Sequence, residues 1–367
     1  MPEDCLRIGI VGTSWWTDSM FLPALADHPH GQVVALCGRR VEPAEELAAR
    51  WHIPLVFTDA HEMIASGDID AIIVASSNDT HHPITMDALD RGLHVMCEKP
   101  IGLDATQAAE MARRAAETDV TTMVPFTYHY MPTNRWLKRL VDDGWLGRLH
   151  HVNMRYTAGY ARSGAYTWRM DRALAGSGVI GDLGSHWLHL ARWLFGEVVA
   201  IGAHAFNLVE VAERPDGAPF EPTEDSATMT VRFATGGYGV LQVSAVCWEG
   251  TELGQLHRME AHGSDGTLTS TIDWSDLQEV KGVRADEPGP APTLPVPDDI
   301  WGDLRRTPVH DTYRDVFRST ETMARAWATA AAEGRAISPD LAEGARIQEL
   351  VDAALTSAAS GGSMIDV

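Results

Sequence analysis

The chain has 367 residues, with 29 Lys and Arg against 51 Asp and Glu and a formal net charge of −22. So acidic a surface repels nucleic acid and anionic membrane, and neither is expected as a partner. The length exceeds most single cores and predicts two domains, drawn at 1–125 and 126–367.

The start, "MPEDC", lacks the basic and then apolar profile of a signal peptide. No run of 18 apolar residues offers a membrane span. Cys5, Cys37, Cys97 and Cys247 are scattered with no C-x-x-C pair, so neither a zinc site nor a disulfide framework is expected. These features together predict a cytoplasmic protein. No internal repeat is visible.

The first third alternates short apolar runs with helical patterns. The runs are "RIGIVG" at 7–12, "VVALCG" at 33–38, "AIIVASS" at 71–77, "HVMC" at 94–97 and "TTMVPF" at 121–126. Between them, "MFLPALADHP", "PAEELAARW", "HPITMDALDRG" and "TQAAEMARRAAETD" carry helical periodicity. This pattern predicts an α/β domain whose parallel sheet is covered on both faces, with ligands at the carboxyl ends of its strands. Beyond residue 126 a helix is predicted in "PTNRWLKRLVDDGWLG". Alternating strands follow in "HHVNMRYTAGY", "VVAIGAHAFNLVEV", "SATMTVRFA" and "GVLQVSAVCW". Hairpin joints are expected at 235–237 and 262–268. The second domain is therefore read as α+β, with a large, open and mostly antiparallel sheet. A proline-rich loop at 287–299 precedes two expected helices, one over 313–334 and one over 340–361.

The loop "GTSWWT", residues 12–17, occupies the place of a Gly-x-Gly-x-x-Gly phosphate loop. Only Gly12 of the three glycines is present. Ser14 is small enough for a pyrophosphate to approach, and Thr17 lets the helix pack closely. Helix-start N–H groups bind the anion whether or not glycine supplies them. An ordinary tight turn in a domain that binds no nucleotide is the plainer alternative. At the end of the second strand, "LCGRR", Gly38 stands where a ribose-binding acid is expected, and Arg39 and Arg40 follow. A missing carboxylate and two guanidinium groups suit a 2′-phosphate, so NADP(H) is expected in preference to NAD(H). Two solvated arginines at a helix start are the alternative.

"SSNDTHH" (76–82), "CEKP" (97–100) and "DLGSHWLH" (182–189) together resemble the Gfo/Idh/MocA family of dehydrogenases. That family is named for glucose–fructose oxidoreductase, inositol dehydrogenase and a rhizopine-catabolism protein. The resemblance covers nearly the whole chain. It implies a Rossmann domain followed by a domain with a large open sheet, a pyridine nucleotide, a sugar, inositol or other polyol substrate, and a homo-oligomer, dimer or tetramer. By the same resemblance Lys99 is the active-site lysine, and Asp182 and His186 bind substrate and handle the proton. Cofactor contacts are expected from Gly12, Thr13, Ser14, Trp15, Trp16, Gly38, Arg39, Arg40, Ser76, Ser77, Asn78, His81, Glu98 and Lys99. A cis peptide bond before Pro100 is a further expectation. The chain departs from the family pattern at His129, where Arg is common, and at His189, where Asp is common.

Hydride transfer from a carbinol carbon requires a base for the hydroxyl proton. A cationic nicotinamide disfavours the ammonium form of a nearby lysine, which suits Lys99. If 182–195 is helical, Asp182, His186 and His189 share one face, and either Lys99 or His186 takes the proton. The same trio also fits a metal, although none is expected. Tyr156, Tyr160, Trp168 and Arg169 are further substrate-binding candidates beside His129 and His189, with burial the alternative for the large rings. His310 is a weaker candidate. Two other functions stay compatible with these residues. One is redox-assisted elimination or glycoside cleavage by tightly held NAD(P), and the other is a non-catalytic nucleotide sensor.

Overall fold

The computed structural model describes residues 5–248, 255–274 and 276–367, so most of the acidic start lies outside the described residues. The chain divides into two compact units, Met1–Pro125 with Arg314–Gln348, and Phe126–Tyr313 with Glu349–Val367.

The first unit is built on six strands: β1 (Leu6–Val11), β2 (Gly31–Cys37), β3 (Leu55–Phe57), β4 (Ala71–Val74), β5 (His94–Cys97) and β6 (Thr122–Met123). Their order is β3-β2-β1-β4-β5-β6, and every pair is parallel. Ile8, Ile10, Ile72, Ile73 and Val95 are fully buried, as a parallel sheet covered on both faces requires. The chain steps outward from β1 to β3 and then resumes at β4, on the other side of β1. That reversal between β1 and β4 opens a crevice at the carboxyl ends of the two strands.

Late residues complete this unit. Trp327, on the helix Met323–Ala332, is fully buried and donates its indole N–H to Thr121 O at 3.2 Å. Val124 N donates to Pro339 O at 2.8 Å. The single helix expected over 313–334 is instead two, Val309–Arg318 and Met323–Ala332. The residues between them are Ser319, Thr320, Glu321 and Thr322, and the hydroxyls of Thr320 and Thr322 both donate to Val316 O. Such hydroxyls compete with the helix for its own carbonyls.

The second unit holds β7 (Leu149–Thr157), β8 (Val198–Phe206), β9 (Ser226–Phe233), β10 (Tyr238–Ser244), β11 (Leu256–Gly263), β12 (Gly266–Asp273), β13 (Leu277–Arg284) and β14 (Ile365–Asp366). The sheet order is β13-β12-β11-β7-β10-β9-β8-β14. Among the described residues only the β7–β10 pair is parallel in this sheet. Hairpins join β9 to β10 and β11 to β12 at the two expected places. Burial alternates along β9, β11 and β12, so one face is packed and the other is not. The helix Ser185–Phe195 buries Trp187, Leu188, Leu190 and Ala191 completely.

The short β3 and β14, the polar β13 and the helix Ala60–Ala65 were not predicted. Three or two residues are too few for a period, and β13 ("LQEVKGVR") mixes charges into its alternation.

Trp327→Ala should cost about 3–5 kcal/mol in urea unfolding of the first unit, whereas a loss below about 1 kcal/mol would mean that the late helices are not part of its core. On β11, burial pushes His257 down from 6.5 to about 3. The unfolded state therefore binds the extra proton first, and stability should fall as pH drops from about 7 to about 3. His257→Phe should reduce that slope in the same titration, to which the depressed His28, His81, His94 and His262 also contribute, and an unchanged slope would contradict the assignment.

Candidate active site

The loop after β1 is fixed by glycine geometry. Gly12 adopts φ +116°, and a β-carbon there would lie 2.3 Å from Ala75 O. No other residue allows β1 to approach the end of β4 so closely. Gly38 plays a matching part, since a β-carbon on it would meet Thr13 Cγ2 at 2.6 Å. Gly12 N donates to Cys37 O at 2.9 Å and Ala75 N to Val11 O at 2.8 Å, so the ends of β1, β2 and β4 are laced together. Thr17 is fully buried, and its hydroxyl donates to Gly12 O at 2.8 Å. The threonine thus closes the loop where a third glycine would only have left room. A π-helical turn, Thr17–Phe21, follows.

The paired tryptophans divide their tasks. Trp16 donates its indole N–H to Glu98 Oε1 at 2.8 Å and meets Phe317 edge-on, with ring centroids 5.3 Å apart. Trp15 is 61% exposed. Trp16 therefore ties the first loop to the E-K-P turn after β5. Glu98 N donates to Val74 O at 2.9 Å, and Lys99 N to Glu98 Oε2 at 3.2 Å. The Lys99–Pro100 bond is cis. His81 is buried, with Nδ1 2.8 Å from Pro100 O and Nε2 3.3 Å from Ser76 O. It braces the Ser76–Asn78 loop against the lysine turn. Desolvation holds His81 below the usual histidine range, so the brace is neutral. Ser77 is the N-cap residue of the helix Asn78–Asp90, Asn78 is buried, and Ser76 Oγ lies 2.6 Å from Thr80 Oγ1. Arg39 and Arg40 are exposed at the end of β2, and among the described residues neither has an ion-pair partner.

In the second unit the expected uniform helix over 182–195 is split. A π-helical turn, Ile180–Gly184, precedes the α-helix Ser185–Phe195, so Asp182 is not in simple α register with His186 and His189. Buried Glu224 holds this start by accepting from Gly178 N at 2.8 Å and Ile180 N at 3.1 Å. Asp182 Oδ2 accepts from the Tyr160 hydroxyl at 2.7 Å and lies 3.8 Å from Arg169 Nε. The Arg169 guanidinium in turn covers the Trp168 ring at 4.5 Å. Four of the candidates therefore form one patch.

His186 and His189 are both buried rather than solvent-facing. His186 meets Tyr128 edge-on, with centroids 4.6 Å apart, and His189 stacks on Phe126 at 4.3 Å. The two departures from the family pattern touch each other, with His129 Nδ1 3.1 Å from His189 Nε2. They form a single coupled feature. Tyr156 is buried, with its hydroxyl 2.7 Å from that of Tyr128. Gln255, which the sequence did not single out, reaches both phenols, and its neighbour His257 is buried beside them. His310 packs edge-on to Trp274, with centroids 5.2 Å apart. Among the described residues, no group of three His, Cys, Asp or Glu side chains is arranged to hold a metal ion.

Comparison with known proteins agrees with this geometry. A family profile described as "Oxidoreductase family, NAD-binding Rossmann fold" matches residues 6–126, and the "GFO/IDH/MocA C-terminal domain" profile matches residues 134–269. Levoglucosan dehydrogenase of Pseudarthrobacter phenanthrenivorans is 25% identical over 362 residues, covering 89% of this chain and 87% of that protein. The scyllo-inositol 2-dehydrogenase (NADP(+)) of Bacillus subtilis is 30% identical over 216 residues, covering 55% and 62%. A solved structure of levoglucosan dehydrogenase in complex with NADH and L-sorbose superposes with a TM-score of 0.87 over 99% of this chain and 98% of that one, at 24% identity. The chain belongs to the Gfo/Idh/MocA family of oxidoreductases, with an NAD-binding Rossmann fold in its first part.

Proposed function

We propose that the protein is a nicotinamide-dependent dehydrogenase acting on a CH–OH carbon of a sugar, inositol or related polyol, with NADP(H) preferred. The observation that carries this reading is the braced lysine turn. Lys99 stands at the carboxyl end of a Rossmann strand, beside Glu98 tied to Trp16 and Pro100 tied to His81. The cradle at Gly12 supports a dinucleotide, because its backbone approaches β4 more closely than any side chain would allow. The similarity to levoglucosan and scyllo-inositol dehydrogenases supports a polyhydroxylated substrate.

The bound nicotinamide supplies a hydride acceptor. The chain's own residues do the rest. Peptide N–H groups at residues 13–16 would hold the pyrophosphate, and the exposed guanidinium groups of Arg39 and Arg40 would hold a 2′-phosphate. Lys99 takes the hydroxyl proton, or His186 does. Asp182, fixed by Tyr160 and Arg169, accepts hydrogen bonds from substrate hydroxyls. Tyr160, Trp168 and Arg169 line the same patch. His129 and His189 act through the position of Phe126 and its neighbours. No described helix is long and apolar enough to cross a membrane. A cytoplasmic homo-oligomer, dimer or tetramer, completes the proposal.

Titration with NADPH and NADH, followed by nucleotide fluorescence, should show saturable binding at micromolar protein, and no binding of either would sink the proposal. Lys99→Ala should lower kcat by about 10²–10⁴ on any polyol turned over. Full activity in that variant would remove Lys99 from the reaction. Arg39→Ala should weaken NADPH about tenfold more than NADH. Equal loss of both would remove the 2′-phosphate assignment.

A further inference from the structure

We propose that Glu224 is a positioning residue for Asp182, and that the strap it ends, residues 221–224, sets the spacing between Asp182 and Arg169. The inference rests on the reading of those two side chains as substrate-binding groups.

Glu224 is a buried acid with no part in the proton transfer, 3% exposed. Its Oε1 accepts from Gly178 N at 2.8 Å and from Ile180 N at 3.1 Å. Its backbone carbonyl accepts from Val179 N at 3.0 Å. Three successive peptide N–H groups therefore end on one residue. A concavity of successive N–H groups suits an anion, and here a side chain of the same unit fills it. Oε2 lies 3.6 Å from Arg172 Nη2, which holds the other side of the carboxyl group. A β-carbon on Gly178 would lie 1.9 Å from Glu224 O, so only a residue without a side chain lets the strap come this close.

The consequence falls on Asp182. Its N–H donates to Gly178 O at 2.8 Å, so the residue that Glu224 grips also anchors the backbone of Asp182. The π-helical turn in which Asp182 sits is a rare form, found mostly at functional sites. From that turn the Asp182 carboxylate meets the Tyr160 hydroxyl at 2.7 Å and Arg169 Nε at 3.8 Å.

The same strap holds Arg169. The Thr223 hydroxyl donates to Arg169 O at 2.8 Å, and Thr223 N donates to Met170 O at 3.1 Å. Arg172 N donates to Glu221 O at 3.0 Å, and Pro222 forms an isolated antiparallel bridge with Asp171. Four consecutive residues thus bind the chain on both sides of the patch. A carboxylate and a guanidinium that share one polyol must keep a fixed separation, and an error of about 1 Å costs up to about a hundredfold in rate.

Two variants separate reach from charge. Glu224→Gln keeps the length of the side chain and an oxygen able to accept from Gly178 and Ile180, but loses the charge. Glu224→Asp keeps the charge but stops about 1.5 Å short of the two N–H groups. In crystals, Glu224→Gln should keep the Tyr160–Asp182 hydrogen bond, and Glu224→Asp should open it beyond about 3.5 Å. Loss of that bond in Glu224→Gln, or its survival in Glu224→Asp, overturns the proposal, and neither result needs a substrate. On levoglucosan or scyllo-inositol, whichever is oxidised, Glu224→Asp should lower kcat/KM by about tenfold or more and Glu224→Gln by less than about threefold. Circular dichroism and nucleotide affinity serve as controls. A merely structural role would act whether or not Asp182 is present. In an Asp182→Ala background Glu224→Asp should therefore cost less than about a further twofold, and an undiminished loss overturns the proposal. A chain that binds neither NADPH nor NADH, yet shows the expected contacts in both crystals, would instead defeat the dehydrogenase reading alone.

Discussion

The first unit depends on one hydrogen bond between residues far apart in sequence, the indole N–H of Trp16 to the carboxylate of Glu98 at 2.8 Å. A charge-assisted bond of this kind is stronger than a neutral one. It joins the loop after β1 to the turn after β5, and the two flank β4. The strand ends beneath are already laced by the backbone bonds of Gly12, Ala75 and Glu98. His81 adds a second brace, from the β4 loop to Pro100. The turn that carries Lys99 is therefore held from two sides. A site that must keep a reacting atom in place within a fraction of an ångström needs such support.

The second unit reaches rigidity by another route. Its helix Ser185–Phe195 packs His186 and His189 into aromatic surroundings, with Phe126 and Tyr128 against their rings. Glu224 caps the π-helical turn that sets Asp182, and Tyr160 holds the carboxylate of Asp182 itself. The pairing of His129 with His189 changes how both departures from the family pattern are understood. The two residues sit within hydrogen-bond reach of each other, 3.1 Å apart, and belong to one local arrangement. Buried polar groups that satisfy one another in this way fix a single arrangement of the surrounding rings.

Much of the first sheet was legible because continuous apolar runs between helical patterns leave few alternatives. Gly12 was legible for a local reason, the turn between strand and helix. The close packing at Thr17 was legible from its size, but the closure of the loop by its hydroxyl was not. The partner of Trp16 lies beyond four further strands in the chain, so no periodicity points to it. His81 was expected as a cofactor contact, and its burial between two carbonyls is visible only in the fold. Tyr156 was legible as an aromatic on a strand. Gln255 and Glu224 were not, since a lone polar residue in a β-rich stretch carries no signal until its neighbours are known. The break in the helix over 313–334 was readable in principle from "STET", whose hydroxyls cap and interrupt helices. The π-helical turn at Asp182 has no such mark.

The most direct measurement of the central claim is the electron density of a crystal soaked with NADPH. The account predicts the pyrophosphate against the N–H groups of residues 13–16, the 2′-phosphate against Arg39 or Arg40, and the nicotinamide ring beside Lys99 at the end of β5. Density for the nucleotide away from the carboxyl ends of β1, β4 and β5, or a fully occupied nucleotide whose nicotinamide lies remote from Lys99, would contradict it.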